Sequence, residues 1–170
     1  MIVRMGVWLA VATGCFAPGW AGAQGTLTDK ARRDEVIRGR AGDPAMEEAF
    51  RRARATLPGF YRMLEAPGPG VGSLTVKVGL PTARGKEYVW LSDVLRKGDQ
   101  VAGTVDNTPV DTRAYRKGQQ VTFPETAVVD WAYREGDRMR GNYTSCALAS
   151  RFPVKERRRF EAEYGIDCSQ

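Results

Sequence analysis

The stretch from Val128 to Thr144, "VVDWAYREGDRMRGNYT", concentrates side chains that can bind or catalyse. A carboxylate on a strand, Asp130, can accept hydrogen bonds from the backbone or hydroxyl groups of a facing Tyr143–Thr144 segment. Aromatic rings beside a carboxylate also form good binding clefts. We therefore consider two interpretations of this stretch, an architectural one and a ligand-binding one. The candidate cleft comprises Asp130, Trp131, Tyr133, Tyr143, Thr144, Trp90 and Asn107.

Three acidic residues, Glu87, Asp93 and Asp130, lie in or beside predicted strands. Two of them facing each other across a sheet would form the acid/base pair of a hydrolase, with a cell-envelope polymer as the substrate. Acids on strands also cap turns or pair with neighbouring arginines. A carboxylate hydrolase is therefore the alternative to a binding protein.

The chain contains no histidine. This excludes Ser-His-Asp and Cys-His nucleophilic sites and removes the commonest acid/base group and metal ligand at neutral pH. A zinc site would need more thiolates or imidazoles than the chain has. We therefore expect no metal and no cofactor, and the composition favours binding over catalysis.

Hydrophobic periodicity predicts which elements position these residues. A helix is expected from Asp43-Pro44, an N-cap acid followed by proline, to Pro58-Gly59, because apolar residues recur on one face between them. Phe60–Leu64 is compatible with one more short helical turn after it. Alternating apolar residues then predict strands over 73–78, 87–95, 101–105, 121–123 and 127–133, with a turn at Gly136. A last helix begins at Pro153 and ends at Gly165. The order indicates an α+β domain: a curled antiparallel sheet of about five strands with an N-terminal and a C-terminal helix packed on it.

Several segments in this order resemble the YegJ-like bacterial family DUF2314. They are "EYVWLSDVL", "GTVDNTP", "YRKGQQVTF", "VVDWAY" and "GNYT", and the resemblance covers about Ala45 to Leu148. The matching positions are Glu87, Trp90, Gly103, Asn107, Pro109, Gly118, Asp130, Trp131, Tyr133, Gly141, Tyr143 and Thr144. The resemblance implies a small α+β domain and brings no assigned activity with it.

Residues 1–23 have the pattern of a secretory signal peptide: an early cation, an apolar run and small residues before a cleavage site, here Arg4, Met5–Gly14 and Ala21–Ala23. The apolar run is too short to remain as a transmembrane helix, so we expect no membrane span. Residues 24–42 are polar and charged and are interpreted as a tether before a single domain over 43–170. The protein is then periplasmic or secreted. As an alternative, Cys15 is acylated and anchors a lipoprotein.

Removal of the signal leaves two cysteines, Cys146 and Cys168. An even count in an exported protein predicts a disulfide, which would fasten the C-terminal helix onto the domain. The formal net charge of +6 is typical of a soluble protein and does not indicate a partner. We interpret the basic run Lys155–Phe160 as a solvated helix face, so no nucleic-acid partner is expected. The expected partner is an unknown protein or small ligand in the cell envelope.

The signal peptide makes a direct prediction about the secreted protein. Its mature chain should begin at Gln24, because cleavage is expected after Ala23. Intact-mass spectrometry of the protein recovered from the periplasm or medium measures this terminus. A mature N-terminus at an acylated Cys15 would instead establish the lipoprotein alternative.

Overall fold

The computed structural model describes residues 42–83 and 85–169. The predicted signal peptide, and all of the predicted tether except Gly42, lie outside these residues. The elements, in chain order, are helix α1 (Pro44–Glu65), strands β1 (Val71–Thr82), β2 (Gly85–Lys97), β3 (Gln100–Val105) and β4 (Gln120–Pro124), a 3-10 turn (Glu125–Ala127), strands β5 (Val128–Glu135) and β6 (Arg138–Gly141), and helices α2 (Tyr143–Ala149) and α3 (Val154–Tyr164).

Helix α1 begins where the sequence predicts. Asp43 is its N-cap, and one carboxylate oxygen of Asp43 accepts a hydrogen bond from the Ala45 N–H at 2.9 Å. Pro44 stands in the first turn, where its missing N–H costs no intrahelical hydrogen bond. The cap and the proline together fix the start of the helix.

The predicted end of this helix at Pro58-Gly59 is wrong, because α1 continues through Pro58 to Glu65. A proline inside a helix removes one backbone hydrogen bond and destabilises it locally. Here Leu57, Phe60 and Tyr61 are all buried in the core around that position. The stabilisation gained by burying these side chains therefore outweighs the tendency of Pro58-Gly59 to end the helix.

The strands form one open antiparallel sheet in the order β4-β3-β2-β1-β5-β6, so the α+β class is confirmed. The sheet has six strands and not about five, because the chain turns at Gly136 and β6 pairs with β5 from Glu135↔Arg138 to Ala132↔Gly141. A second difference is α2, a short helix that the periodicity did not predict. β1 lies near the middle of the sheet, between β2 and β5.

The main core lies between α1 and one face of the sheet, and its largest fully buried members include Phe60, Leu80, Leu91, Val76, Val78 and Val89. A separate small cluster of Ala149, Phe160 and Ile166 joins α2 to residues 154–169, which we call the C-terminal segment. Helix α3 ends at Gly165, which has a left-handed backbone (φ 67°), as the sequence predicts. The predicted disulfide joins Cys146 to Cys168, with their Cα atoms 5.4 Å apart. No helix within the described ranges is long and apolar enough to cross a membrane.

Candidate functional site

A row of three polar or aromatic side chains crosses the centre of the sheet. Lys77 on β1 lies opposite Trp90 on β2 and opposite Asp130 on β5. Directly opposed residues in an antiparallel pair project to the same face, so the three side chains are neighbours. The Lys77 ammonium lies over the Trp90 ring, 4.6 Å from its centroid. The row therefore places a buried cation between an aromatic ring and a buried carboxylate.

Asp130 is wholly buried and accepts four hydrogen bonds. Its Oδ1 accepts the N–H of Trp131 at 2.9 Å and that of Tyr143 at 3.3 Å. Its Oδ2 accepts the N–H of Thr144 at 2.8 Å and the Thr144 hydroxyl at 2.6 Å. The hydrogen bonds predicted between Asp130 and the Tyr143–Thr144 segment are confirmed.

Tyr143 and Thr144 are the first two residues of α2, so Asp130 acts as the cap of that helix from a distance. The residue that precedes the helix, Asn142, has a left-handed backbone (φ 60°) and makes no side-chain capping hydrogen bond. The unpaired N–H groups of a helix's first turn need an acceptor, and a carboxylate also interacts favourably with the helix dipole. Asp130 supplies both the acceptor for these N–H groups and the carboxylate at the start of the helix.

Lys77 joins the same network through Thr144. Its Nζ donates to the Thr144 Oγ1 at 2.7 Å, while that hydroxyl donates to Asp130. Burial lowers the pKa of Lys77 to about 8, and the negative charge of Asp130 limits the fall. Burial raises the pKa of the Asp130 carboxyl, against the opposing effects of Lys77 and of the donors from Thr144 and Trp131.

A lysine beside a hydroxyl can activate the hydroxyl as a nucleophile. Thr144 does not offer this chemistry, because it is only 1% exposed and its proton is committed to Asp130. No substrate atom can reach its oxygen without moving α2. The arrangement is built to hold α2 against β1 and β5.

The remaining acids and amides of the predicted site also hold backbone. Glu87 is buried, and its two carboxylate oxygens accept the N–H groups of Val110 (2.6 Å) and Asp111 (2.9 Å). Asn107 Oδ1 accepts the Trp90 N–H at 2.7 Å. These contacts pin the long connection between β3 and β4 onto β2.

Three of the four aromatic residues of the predicted site, Trp131, Tyr133 and Tyr143, form one cluster next to α1. Trp131 stacks on Tyr133 (centroids 5.8 Å apart) and on Phe60 (5.5 Å), and it meets Tyr143 edge-on (5.7 Å). The Trp131 indole N–H donates to the Ala53 carbonyl at 3.1 Å. The rings therefore supply core area and orient α1 on the sheet.

Gly141 makes this packing possible. It has a left-handed backbone (φ 74°), and a Cβ atom at this position would lie 2.3 Å from the Trp131 carbonyl oxygen and 2.5 Å from a carbon of its ring. Any other residue would push β6 away from Trp131. The start of α2 over Asp130 depends on this close approach.

A groove of about 890 Å³ lies between the N-terminal half of α1, helix α2 and the C-terminal segment; we call it the C-terminal groove. Its lining includes the disulfide, small residues such as Ala49 and Gly165, and four arginines. These arginines are Arg52, Arg138, Arg157 and Arg158, and the carboxylates that line the groove are Glu48, Glu161 and Asp167. Its volume is in the range of sites for small ligands.

The structure separates the predicted cleft residues into two groups. Asp130, Trp131, Thr144 and Asn107 are buried, while Trp90, Tyr133 and Tyr143 are partly exposed. Tyr143 is the member of the set that lines the C-terminal groove, where Arg52 lies over its ring at 5.0 Å. Across the described ranges, no group of three His, Cys, Asp or Glu side chains is arranged to hold a metal ion.

Apart from Lys77, the residues of the hydrogen-bond network around Asp130 lie in the segments that carry the resemblance noted in the sequence. A family model described as "Uncharacterized protein conserved in bacteria (DUF2314)" matches residues 43–168. The chain belongs to the DUF2314 family. This DUF2314 protein is 25% identical to "Uncharacterized protein YegJ" of Escherichia coli (strain K12) over 123 residues, which are 72% of this chain and 79% of YegJ. No solved structure matches it significantly.

Sequence reasoning missed Lys77 and the groove of this DUF2314 protein. Lys77 stands at a polar position of an alternating strand, which is the ordinary pattern of a solvent-facing residue. Only the pairing of β1 with both β2 and β5 shows that it is enclosed. The groove residues come from four elements and share no local pattern.

The first prediction from this geometry concerns Asp130, the buried hydrogen-bond acceptor. Asp130→Ala should lower the free energy of unfolding by about 3 kcal/mol or more, because it leaves several buried donors and the Lys77 cation without a partner. Urea unfolding of the oxidised protein measures the change. Asp106→Ala, the same substitution at an exposed site, should stay within about 0.5 kcal/mol of the parent. Coincident unfolding curves for Asp130→Ala and the parent would contradict the architectural role.

The second prediction concerns the pH dependence that Lys77 creates. Its pKa is about 8 in the folded protein and 10.5 in an unperturbed lysine, so the unfolded chain binds more protons between these values. Stability therefore rises with pH in this window. From pH 7.5 to 9.5 the parent should gain about 2 kcal/mol relative to Lys77→Met.

Urea unfolding of both proteins across this pH range isolates the effect of Lys77, because the other titrating groups are common to both. If the stabilities of parent and Lys77→Met change in parallel, Lys77 keeps its full positive charge in the fold.

Proposed function

We propose that this DUF2314 protein is an exported binding module that acts without catalysis, and that the C-terminal groove is its ligand-binding surface. The observation that carries the proposal is that the polar side chains fall into two groups, one that forms hydrogen bonds inside the fold and one that lines the groove. The first group forms its hydrogen bonds with other residues of the fold and comprises Asp130, Thr144, Glu87 and Asn107. Of the four arginines that line the groove, Arg138 and Arg158 are exposed to solvent.

The disulfide supports the export part of the proposal. Cys146 and Cys168 are bonded, and structural disulfides persist in oxidising compartments outside the cytosol. This is compatible with a periplasmic or extracellular location. It agrees with the secretory signal expected in residues 1–23.

The hydrolase alternative receives less support from the three acids considered for it. Glu87 and Asp130 are buried acceptors of backbone N–H groups. Asp93 is exposed on β2, in a left-handed backbone conformation (φ 50°) at an irregularity in the pairing with β3. A glycosidase-type mechanism needs two carboxyl groups on either side of a substrate bond in one cleft. The surroundings of these three acids do not favour that arrangement.

A matched pair of substitutions tests the groove as the binding surface. Ala162 lines the groove and is exposed, whereas Ala55 is exposed on α1 outside it. Ala162→Trp should fill the groove, and Ala55→Trp should add the same ring elsewhere. Both proteins and the parent are immobilised, incubated with cell-envelope extract and washed, and retained proteins and small molecules are identified by mass spectrometry.

The expected result is a species retained by the parent and by Ala55→Trp and reduced at least tenfold on Ala162→Trp. Equal retention on all three proteins would place binding outside the groove. Retention of nothing above a blank matrix by the parent would count against a binding module.

A further inference from the structure

The Cys146–Cys168 disulfide forms part of the wall of the C-terminal groove. Both cysteines line the groove and are partly exposed. Most structural disulfides are protected by the core that they stabilise, whereas thiol–disulfide exchange requires access of a thiolate to a sulfur atom. This bond therefore lies where a small thiol can approach it from solvent.

Four arginines and three carboxylates line the groove. Arg138 and Arg158 are exposed on two sides of the groove, and Arg158 makes no hydrogen bond or ion pair with another described residue. Of the lining carboxylates, Glu48 pairs with Arg51 at 2.7 Å and Glu161 with Arg157 at 3.8 Å. Asp167 accepts the Ser169 N–H at 2.9 Å, keeps its negative charge and interacts with Arg138. Guanidinium groups attract an anionic reagent and stabilise the thiolate that leaves.

The C-terminal segment depends on the disulfide for its attachment. Beyond α3 it is held by a hydrogen bond from the Met139 N–H to the Gly165 carbonyl at 2.8 Å and by the small cluster around Ile166. Besides the disulfide, a β-bridge between Met139 and Ile166 and a hydrogen bond from Arg134 to the Tyr164 carbonyl also join this part of the chain to the body of the domain. Exchange at this bond can therefore proceed without unfolding of the main core.

We propose that the Cys146–Cys168 disulfide is an exchange site for small anionic thiols, which the arginines of the C-terminal groove attract. In the first step the thiolate of the reagent attacks one sulfur, the protein S–S bond breaks, a mixed disulfide forms, and the other cysteine leaves as a thiolate. A second reagent thiolate attacks the mixed disulfide, which yields the oxidised reagent dimer and a second cysteine thiolate. Two electrons pass from the two reagent thiols to the protein disulfide.

The test compares two thiols of similar size and opposite charge on the folded, oxidised protein. Mercaptoethanesulfonate carries a negative charge next to its thiol, and cysteamine carries a positive one. Each rate is divided by the rate of the same thiol with a neutral linear-peptide disulfide, which removes differences in intrinsic nucleophilicity. Acid quenching followed by mass spectrometry measures loss of the disulfide and appearance of the mixed disulfide.

The anionic thiol should react at least about fivefold faster than the cationic one after this correction, at low ionic strength. The double variant Arg138→Gln/Arg158→Gln should reduce this preference at least threefold. Arg113→Gln/Arg116→Gln removes the same charge from the exposed β3–β4 connection and should leave the preference unchanged. Addition of 1 M salt should largely abolish it.

Two results would overturn the proposal. One is a corrected rate ratio near one for the parent. The other is a reduction rate that does not depend on thiol concentration, because the disulfide would then react only after the protein unfolds. Neither result depends on identification of a groove ligand, so failure of this proposal leaves the proposed binding function open to its own test.

Discussion

The buried carboxylate of Asp130 is the interaction on which the arrangement of β1, β5 and α2 depends. Removing a charged carboxylate from water is costly unless donors replace its hydration. Here the N–H groups of α2, its Thr144 hydroxyl and the Trp131 N–H take that place. Since α2 has only seven residues, it is too short to be stable alone, and the carboxylate fixes where it starts. Lys77 then becomes enclosed between Trp90 and Thr144 because α2 lies over it.

The sequence predicts those elements whose signals are local. Asp43 caps α1, Gly165 ends α3, and alternating residues mark the strands; each signal acts within a few positions of its effect. The predictions that were wrong or missing, namely the end of α1 and the existence of α2, depend on residues distant in the sequence. Helix α1 passes Pro58 because Phe60 and Tyr61 are buried against the sheet, and α2 exists because its cap comes from Asp130 on another element. For the same reason, the hydrogen bonds of Asp130 could be predicted from residue types, whereas the partnership with Lys77 required the sheet register.

The residues that carry the family resemblance mainly build the scaffold. Glu87 and Asn107 hold the β3–β4 connection, Gly141 allows β6 to approach Trp131, and Asp130 caps α2. The C-terminal groove takes most of its lining from outside these positions, including its four arginines and both cysteines. The positions that carry the resemblance therefore describe the framework of the domain, although the family model as a whole also spans the groove residues up to Cys168.

The disulfide links the existence of the groove to the redox state of the surroundings. It closes a segment with a sequence separation of 22, for which chain entropy corresponds to about 3 kcal/mol of stabilisation. The buried members of the cluster beneath the segment are only Ala149, Phe160 and Ile166 within the described residues, so the covalent contribution is comparable to the packing. The disulfide therefore adds to the hydrogen bond, the β-bridge and the packing that hold the wall formed by Gly165, Ile166 and Cys168. Under the proposed export, the oxidising compartment that receives the chain would also favour the disulfide that completes this wall of the groove.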